Sequence, residues 1–142
     1  MICANLEDAN FDKANLTGAE FLSANLHRAN MFLSILHKAD FRDANLKGAN
    51  VSGATLECAI LRDANLEETN LANTILTDAD LERTNLLKTQ NTTISQLERA
   101  KTLRAATLPD GAKLPDDVTW RKAFMDWRKA AKIDANGYIV IT

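Results

Sequence analysis

From Ala4 to Lys88 the chain repeats every five residues, seventeen units in succession without an insertion. The units open as ANLED, ANFDK, ANLTG and AEFLS and close as ADLER and TNLLK. The third place of each unit is always apolar, from Leu6, Phe11, Leu16 and Phe21 to Leu76, Leu81 and Leu86. The first place is always small: Ala, or Ser34, Thr69, Thr74 and Thr84. Neither regular element accommodates this period. At about 100° per residue, a helix would rotate each successive third-place residue by about 140° and smear the apolar positions around its cylinder. In a straight strand an odd period sends Leu6 to one face and Phe11 to the other. The chain must therefore turn once per unit. If it turns in the same sense each time, every third-place side chain points at one axis, and the coil climbs until each layer pairs with the one below at about 4.8 Å. That is a solenoid.

The composition suits a narrow interior. Hydrophobic residues make up 46% of the 142 residues but aromatic ones only 6%, so Leu and Ala must do most of the filling. Each short side has room for one large and one small inward side chain, and a bulky residue at Ala44 or Ala64 is expected to overpack it. Asn or Asp holds most second places, as at Asn5, Asn10, Asn25, Asp40, Asn45 and Asp80. A short polar side chain there can hydrogen-bond local backbone at a bend, a structural role rather than a ligand-binding one.

The tandem pattern A(N/D)LXX over residues 4–88 resembles the pentapeptide repeat family. The resemblance implies four units per coil in a right-handed quadrilateral β-helix; the spacing alone does not distinguish three sides from four. The expected fold is an all-β solenoid of about four to five coils with a C-terminal helical cap. Seventeen units on four sides make 4.25 coils, a rod of about 20 Å at about 4.8 Å per layer. Residues twenty apart then stack, setting Phe21 over Met1 and under Phe41, with Phe11, Met31, Val51 and Leu71 on the opposite side.

The division expected is a β-helix over residues 1–93 and a tail over 94–142. After Lys88 the next unit puts Asn91 where an apolar residue belongs, so regular coiling should end. Ser95 to Glu98 has the form of a capping box, suggesting a short helix over about 96–101. Leu103 and Leu108, five apart, read as a degenerate pair of coil sides, followed by a Pro109-Asp110-Gly111 turn in an LPDG sequence. Trp120, Ala123, Phe124, Trp127 and Ala130 recur at helical spacing, giving an amphipathic helix over about 118–132 with Asp116 and Asp117 as candidate caps. Asn136-Gly137 should stop this helix, leaving a short apolar strand at 138–141. A solenoid's open end exposes unpaired backbone and core, and the tail is the obvious cover. The Trp120, Phe124 and Trp127 face is assigned to this end or to a contact with another chain, including a homodimer through the C-terminal tail.

No convergent catalytic set is visible. His27 and His37 lie ten residues apart, on opposite sides of a four-sided coil, and His37 should pair with Glu57 one layer up. Cys58 faces outward without a stacked cysteine or histidine, and two cysteines are too few for a disulfide framework. No phosphate-loop, dinucleotide, zinc-protease or nucleophile-elbow motif occurs. No catalytic residue, metal or cofactor is therefore expected. The start lacks a basic segment followed by an apolar run, and no stretch approaches the roughly 18 apolar residues a membrane span needs. A cytoplasmic protein without membrane contact is expected.

The net charge of −2 argues against a strongly basic nucleic-acid binder. Direct nucleic-acid binding is not expected. Residues 1–93 carry 13 acidic and 8 basic side chains, and residues 94–142 carry 6 and 9. Some pentapeptide repeat proteins protect DNA gyrase by imitating duplex DNA, which the resemblance makes the alternative reading, but here Lys and Arg interrupt a short rod. Ice binding would want outward Thr ladders, and Thr69, Thr74 and Thr84 fall in the inward place. Outward apolar residues occur at Leu22, Phe32, Leu33, Ile35, Ile60, Ile75 and Leu87, and Phe32, Leu33 and Ile35 form a candidate contact patch for a partner or for the tail. The reading is a nonenzymatic scaffold or protein–protein interaction module with an unknown protein partner. A bacterial source, of the cyanobacterial kind, is what the resemblance implies.

Overall fold

Every corner of the chain is made the same way. The N–H of each first-place residue donates to the carbonyl of the third-place residue three positions earlier, as from Ala9 to Leu6 at 3.0 Å and from Ala44 to Phe41 at 3.0 Å. The fifth-place residue inside that turn has positive φ, from 52° at Cys3 to 67° at Gly48 and Gly53. A tight turn with positive φ at its third residue is the way a chain reverses without a longer loop. In the computed structural model, which describes residues 1–141, this corner recurs through the repeat.

Second-place residues then pair in parallel with the residue twenty positions on: Asn5 with Asn25, Asn10 with Asn30, Asn15 with Ile35, Glu20 with Asp40. A stride of twenty fixes four units per coil. We call the sides I, II, III and IV, beginning in the first coil at Ala4, Ala9, Ala14 and Ala19. Each rung hydrogen-bonds upward through third- and fifth-place N–H groups, as from Leu6 to Asn25 at 2.7 Å and Asp8 to His27 at 2.9 Å. It bonds downward through second-place N–H groups, as from Asn25 to Ala4 at 2.9 Å.

The interior follows from the corner. Third-place Leu26, Met31, Leu36, Phe41 and Leu61 are fully buried, with first-place Ala24, Ala29, Ala44 and Ala64 beside them. Phe21 and Phe41 stack at 4.9 Å with planes 6° apart, and Phe11 meets Phe21 edge-on at 5.9 Å. Met1 extends this column beneath Phe21, which is fully buried: the Cys3 N–H donates to the Leu22 carbonyl at 2.8 Å, and Met1 itself is exposed. The polar first-place residues are satisfied rather than orphaned. Thr69, Thr74 and Thr84 donate their hydroxyls to the carbonyls of Leu46, Val51 and Leu61 at 2.8–2.9 Å.

Past the repeat, the ladder persists one step further than the Asn91 anomaly suggests, since Gln90 still pairs with Asn70. The first helix, α1, runs Ile94–Glu98 rather than 96–101. Its capping box uses Thr93 and Gln96, not Ser95 and Glu98, because Gln96 can also donate to the Leu71 and Thr74 carbonyls at 2.7 and 3.0 Å. α1 replaces one coil side, drops Leu97 into the core and lengthens the register, so that Asp80 pairs with Thr102 and Asn85 with Thr107. Leu103 and Leu108 are accordingly buried as two further coil sides.

The top edge then closes by antiparallel pairing. Leu108 donates to Ala112 at 2.7 Å, Leu114 to Ala106 at 3.0 Å, and Ile139 to Thr92 at 2.8 Å. The second helix, α2, spans Trp120–Ala130, shorter than the 118–132 expected. Its N-cap is Thr119, whose N–H and hydroxyl both donate to the Asp117 carboxylate, holding residues 117–119 in a turn that delays the helix. Ala131 is already extended at φ −60°, ψ 133°. In place of the strand expected over 138–141, only Tyr138 and Ile139 form bridges, to Thr93 and Ile133.

Two packing tests follow. Replacing Ala44 or Ala64 by Leu should lower stability by roughly 1–3 kcal/mol through overpacking, read as a lower midpoint in urea. Gly18→Ala and Gly53→Ala both place a side chain at positive φ, a cost on the order of 1 kcal/mol. At Gly18 the new Cβ meets open space, whereas at Gly53 it would lie 2.6 Å from Leu33 Cδ2. Gly53→Ala should therefore be the more destabilising, and a Leu33→Ala background should remove the difference in thermal melts.

Candidate functional site

A rung repeated at a stride of twenty gives each side of the rod its own outward column. On side I, Asn25 Nδ2 donates to Asn5 Oδ1 at 3.1 Å, Asn45 to Asn25 at 3.0 Å and Asn85 to Asn65 at 3.0 Å. Side II repeats this with Asn30 on Asn10 and Asn50 on Asn30. The same oxygens accept backbone N–H groups two residues on, as from His27 and Phe32, so each amide ties corner to ladder. These Asn residues have the structural role their spacing suggests.

Side IV carries charge. Asp40 accepts from Arg42, and Arg62 Nε donates to Asp80 Oδ2 at 2.7 Å. Glu82, 6% exposed, accepts from both Arg83 and Arg104. Arg104 in turn lies 3.3 Å from Asp116, which ties the segment leading to α2 onto the rod. Arg83 also spans to Asp63 at 2.7 Å, one rung down.

Side III is different. Its column runs Asn15, Ile35, Thr55, Ile75, and neither Ile35 nor Ile75 is covered, being 45% and 46% exposed. At the corner between sides II and III, Phe32 and Leu33 are 37% and 46% exposed. Leu33 also occupies a left-handed backbone position at φ 53°, where a bulky non-glycine residue is strained. The structure thus brings Phe32, Leu33 and Ile35 together on one edge and adds Ile75 two rungs above Ile35. The sequence flagged Ile75 as outward but not as part of the patch; reading every twentieth residue would have placed it there.

Trp120, Phe124 and Trp127 do not join this patch. They lie on α2 at the closed end, with Phe124 at 5% exposure in the core and Trp120 and Trp127 half-buried against it. Trp127 Nε1 donates to Asp110 Oδ2 of the LPDG turn at 2.7 Å, and Arg128 bonds Glu98 of α1. The remaining outward apolar residues are partly sheltered: Leu87 lies under Gly111 and Ile60 between Arg42 and Arg62.

His27 sits 3.2 Å from Glu7 on side I, and His37 3.6 Å from Glu57 on side III. Among the described residues, no group of three His, Cys, Asp or Glu side chains is placed to hold a metal ion, and no helix is long and apolar enough to cross a membrane. Cys3 and Cys58 are both free.

The family of pentapeptide repeats matches residues 1–37, 34–63 and 59–90, in 8 copies. The chain belongs to the pentapeptide repeat family. Its fold is the family's right-handed quadrilateral β-helix. A pentapeptide repeat protein from the Arabidopsis thaliana thylakoid lumen is similar at 23% identity, with 87% of this chain and 88% of that chain covered and a TM-score of 0.58. Rfr23 from the cyanobacterium Cyanothece 51142 is 27% identical over 63% of this chain and 78% of that one, with a TM-score of 0.44. HetL, a protein of Nostoc sp. strain PCC 7120 involved in heterocyst differentiation regulation, is 23% identical over 80% and 67%, with a TM-score of 0.32. No curated protein matches the sequence.

The ion pairs give the rod a pH dependence. The side-chain hydrogen bonds from Arg28, Arg42 and Arg83 hold the carboxyls of Asp8, Asp40 and Asp63 below their ordinary range. A carboxyl depressed in the folded state contributes stability that is present above its unfolded value, near 3.9, and lost as pH falls through the folded value. Stability should therefore fall on acidification below about pH 4. Asp63→Asn should flatten that slope in melts taken between about pH 2 and 6, while leaving it unchanged at neutral pH.

Proposed function

We propose that this chain is a nonenzymatic scaffold that presents side III to a protein partner. The observation that supports it is the outward edge there, where Ile35 and Ile75 of the side-III column and Phe32 and Leu33 of the adjoining side-II corner stand exposed, on a rod whose sides I and II carry hydrogen-bonded Asn. Such residues cost solubility where they are and gain by burial, about 25 cal/mol for each Å² of apolar surface covered. The support beneath them is rigid, because each rung is bonded to the rungs above and below. A rigid surface loses little conformational freedom on docking, so more of the contact energy appears as affinity. Among the described residues, the third- and first-place side chains fill the interior of the coil. The two free cysteines fit a reducing compartment such as the cytoplasm.

DNA mimicry with a topoisomerase partner has less support. A mimic needs uncompensated negative charge along its length, whereas Arg28, Lys47, Arg62 and Arg83 each pair with an acid on a neighbouring rung. Affinity capture from the organism that encodes the chain distinguishes the readings. With Phe32→Ser, Leu33→Ser and Ile35→Lys combined, recovery of the specific partner should fall at least tenfold while the melting temperature holds, and the wild-type chain should leave gyrase supercoiling unaffected. Unchanged recovery would remove side III from consideration.

A further inference from the structure

The two ends of the rod are treated differently. At the top, residues 112–115 and 138–139 lie antiparallel on the last coil, and α2 covers the core. Among the described residues, the first coil, residues 4–23, is covered only at residues 21–23, where the Cys3 N–H donates to the Leu22 carbonyl at 2.8 Å and Phe21 is buried over Met1; the rest of its lower edge is open. There Leu6, Phe11 and Leu16, buried in every later rung, are only partly buried, and Ile2 is exposed beside them. The backbone shows the same thing group by group. In the second coil, Asn25 has both polar groups engaged: its N–H donates to Ala4 and its carbonyl accepts from Leu6. The equivalent N–H and C=O groups of Asn5, Asn10, Asn15 and Glu20 have no partner.

We propose that this open coil is a self-association surface, on which a second copy of the chain docks head to head. It is a different surface from side III, and the proposal does not depend on the partner assigned to that side. Head-to-tail stacking is blocked, because the top edge is already occupied by residues 112–115. Head-to-head docking about a two-fold axis sets the facing rungs antiparallel. In an antiparallel pair, a residue with a free N–H and a free C=O on the same edge exchanges both bonds with one opposite residue of the same kind. Asn5, Asn10, Asn15 and Glu20 each offer that pair of groups, so the edge is complementary to itself, as a two-fold interface requires. Leu6, Phe11 and Leu16 supply an apolar centre inside this polar rim, the layout of a protein interface.

Charge selects the register and limits the strength. The first coil carries Glu7, Asp8, Asp12 and Glu20 against Lys13 and against Arg28 of the next rung, which pairs with Glu7 and Asp8, so a net negative charge remains and the two rims repel weakly. Three of the four sides present Asn, and a register that opposes Glu20 to one of them avoids facing carboxylates. The dimer should therefore tighten as salt rises, the reverse of an ion-paired contact.

Sedimentation velocity of the full chain over a range of concentrations, at low and high salt, tests the proposal. The expected result is a concentration-dependent species of twice the 15.6 kDa chain mass, more populated at high salt. Glu20→Pro deletes an N–H that the single chain does not use, so it should weaken association at least tenfold with an unchanged melting temperature. If that variant melts early, amide exchange in the wild-type chain gives the second reading: the amides of Asn5, Asn10 and Asn15 should become protected as concentration rises. A chain that stays monomeric at millimolar concentration, or a dimer that leaves these three amides unprotected, overturns the proposal.

Discussion

One backbone requirement governs the rest of this molecule: each corner needs a residue in the left-handed region. L-residues pay about 1–2 kcal/mol to sit there, yet seventeen non-glycine residues do so, including Lys13, Arg28, Leu33 and Arg83. A single unit in isolation could not hold this shape, since it has one turn bond and no ladder. Stacking supplies what the corner lacks. Each added rung satisfies the free groups of the rung beneath, buries one large and one small side chain per side, and anchors a second-place amide to the corner that follows it. Stability therefore resides between rungs rather than within them, as in other solenoids.

The same geometry separates core from surface in a way few folds do. First and third places must remain small and large whichever side they occupy, so the interior is nearly uniform along the rod. Second, fourth and fifth places face out, and only their residue number modulo twenty decides which side they join. Sides I and II use this freedom for Asn ladders that reinforce the backbone. Side IV uses it for Arg–Asp and Arg–Glu pairs that reach to Arg104 and Asp116 and hold the tail in place. Side III uses it for Ile35, Thr55 and Ile75, which do neither. A column whose Ile35 and Ile75 side chains bond nothing within the chain, flanked by Leu33 at a left-handed corner position, is where a contact outside the chain has the most to offer.

What the sequence revealed, and what it hid, divides along this line. The five-residue period made the corner, the inward Leu and Ala places and the buried Thr hydroxyls readable, because each depends on a residue's position within its own unit. The side-III column was harder to see because it depends on residues twenty apart: Ile35 and Ile75 look like isolated departures until the coil count is known. The tail was least legible. Two overlapping capping boxes, Thr93 with Gln96 and Ser95 with Glu98, are equally good locally; the first forms because Gln96 can also reach the Leu71 and Thr74 carbonyls. Likewise Asp110 reads as a turn residue, and only the folded chain reveals it as the acceptor for Trp127.

The closing of the top edge bears on how a parallel ladder can end. Another parallel rung would reproduce the same free groups and postpone the problem by one layer. A reversal of direction ends it. Residues 112–115 turn back across Leu108 and Ala106, using the LPDG turn whose Gly111 sits at φ 90°, and the antiparallel segment consumes the upward donors without presenting a new set in register. α2 then covers the side chains that the backbone reversal leaves exposed, fixed at its far end by Trp127 on Asp110 and by Arg128 on Glu98. The first coil faces the same chemical problem with the opposite polarity. Its free N–H and C=O groups can be satisfied by the same device, an antiparallel neighbour, and a second copy of the same edge meets that description without any new structure being required.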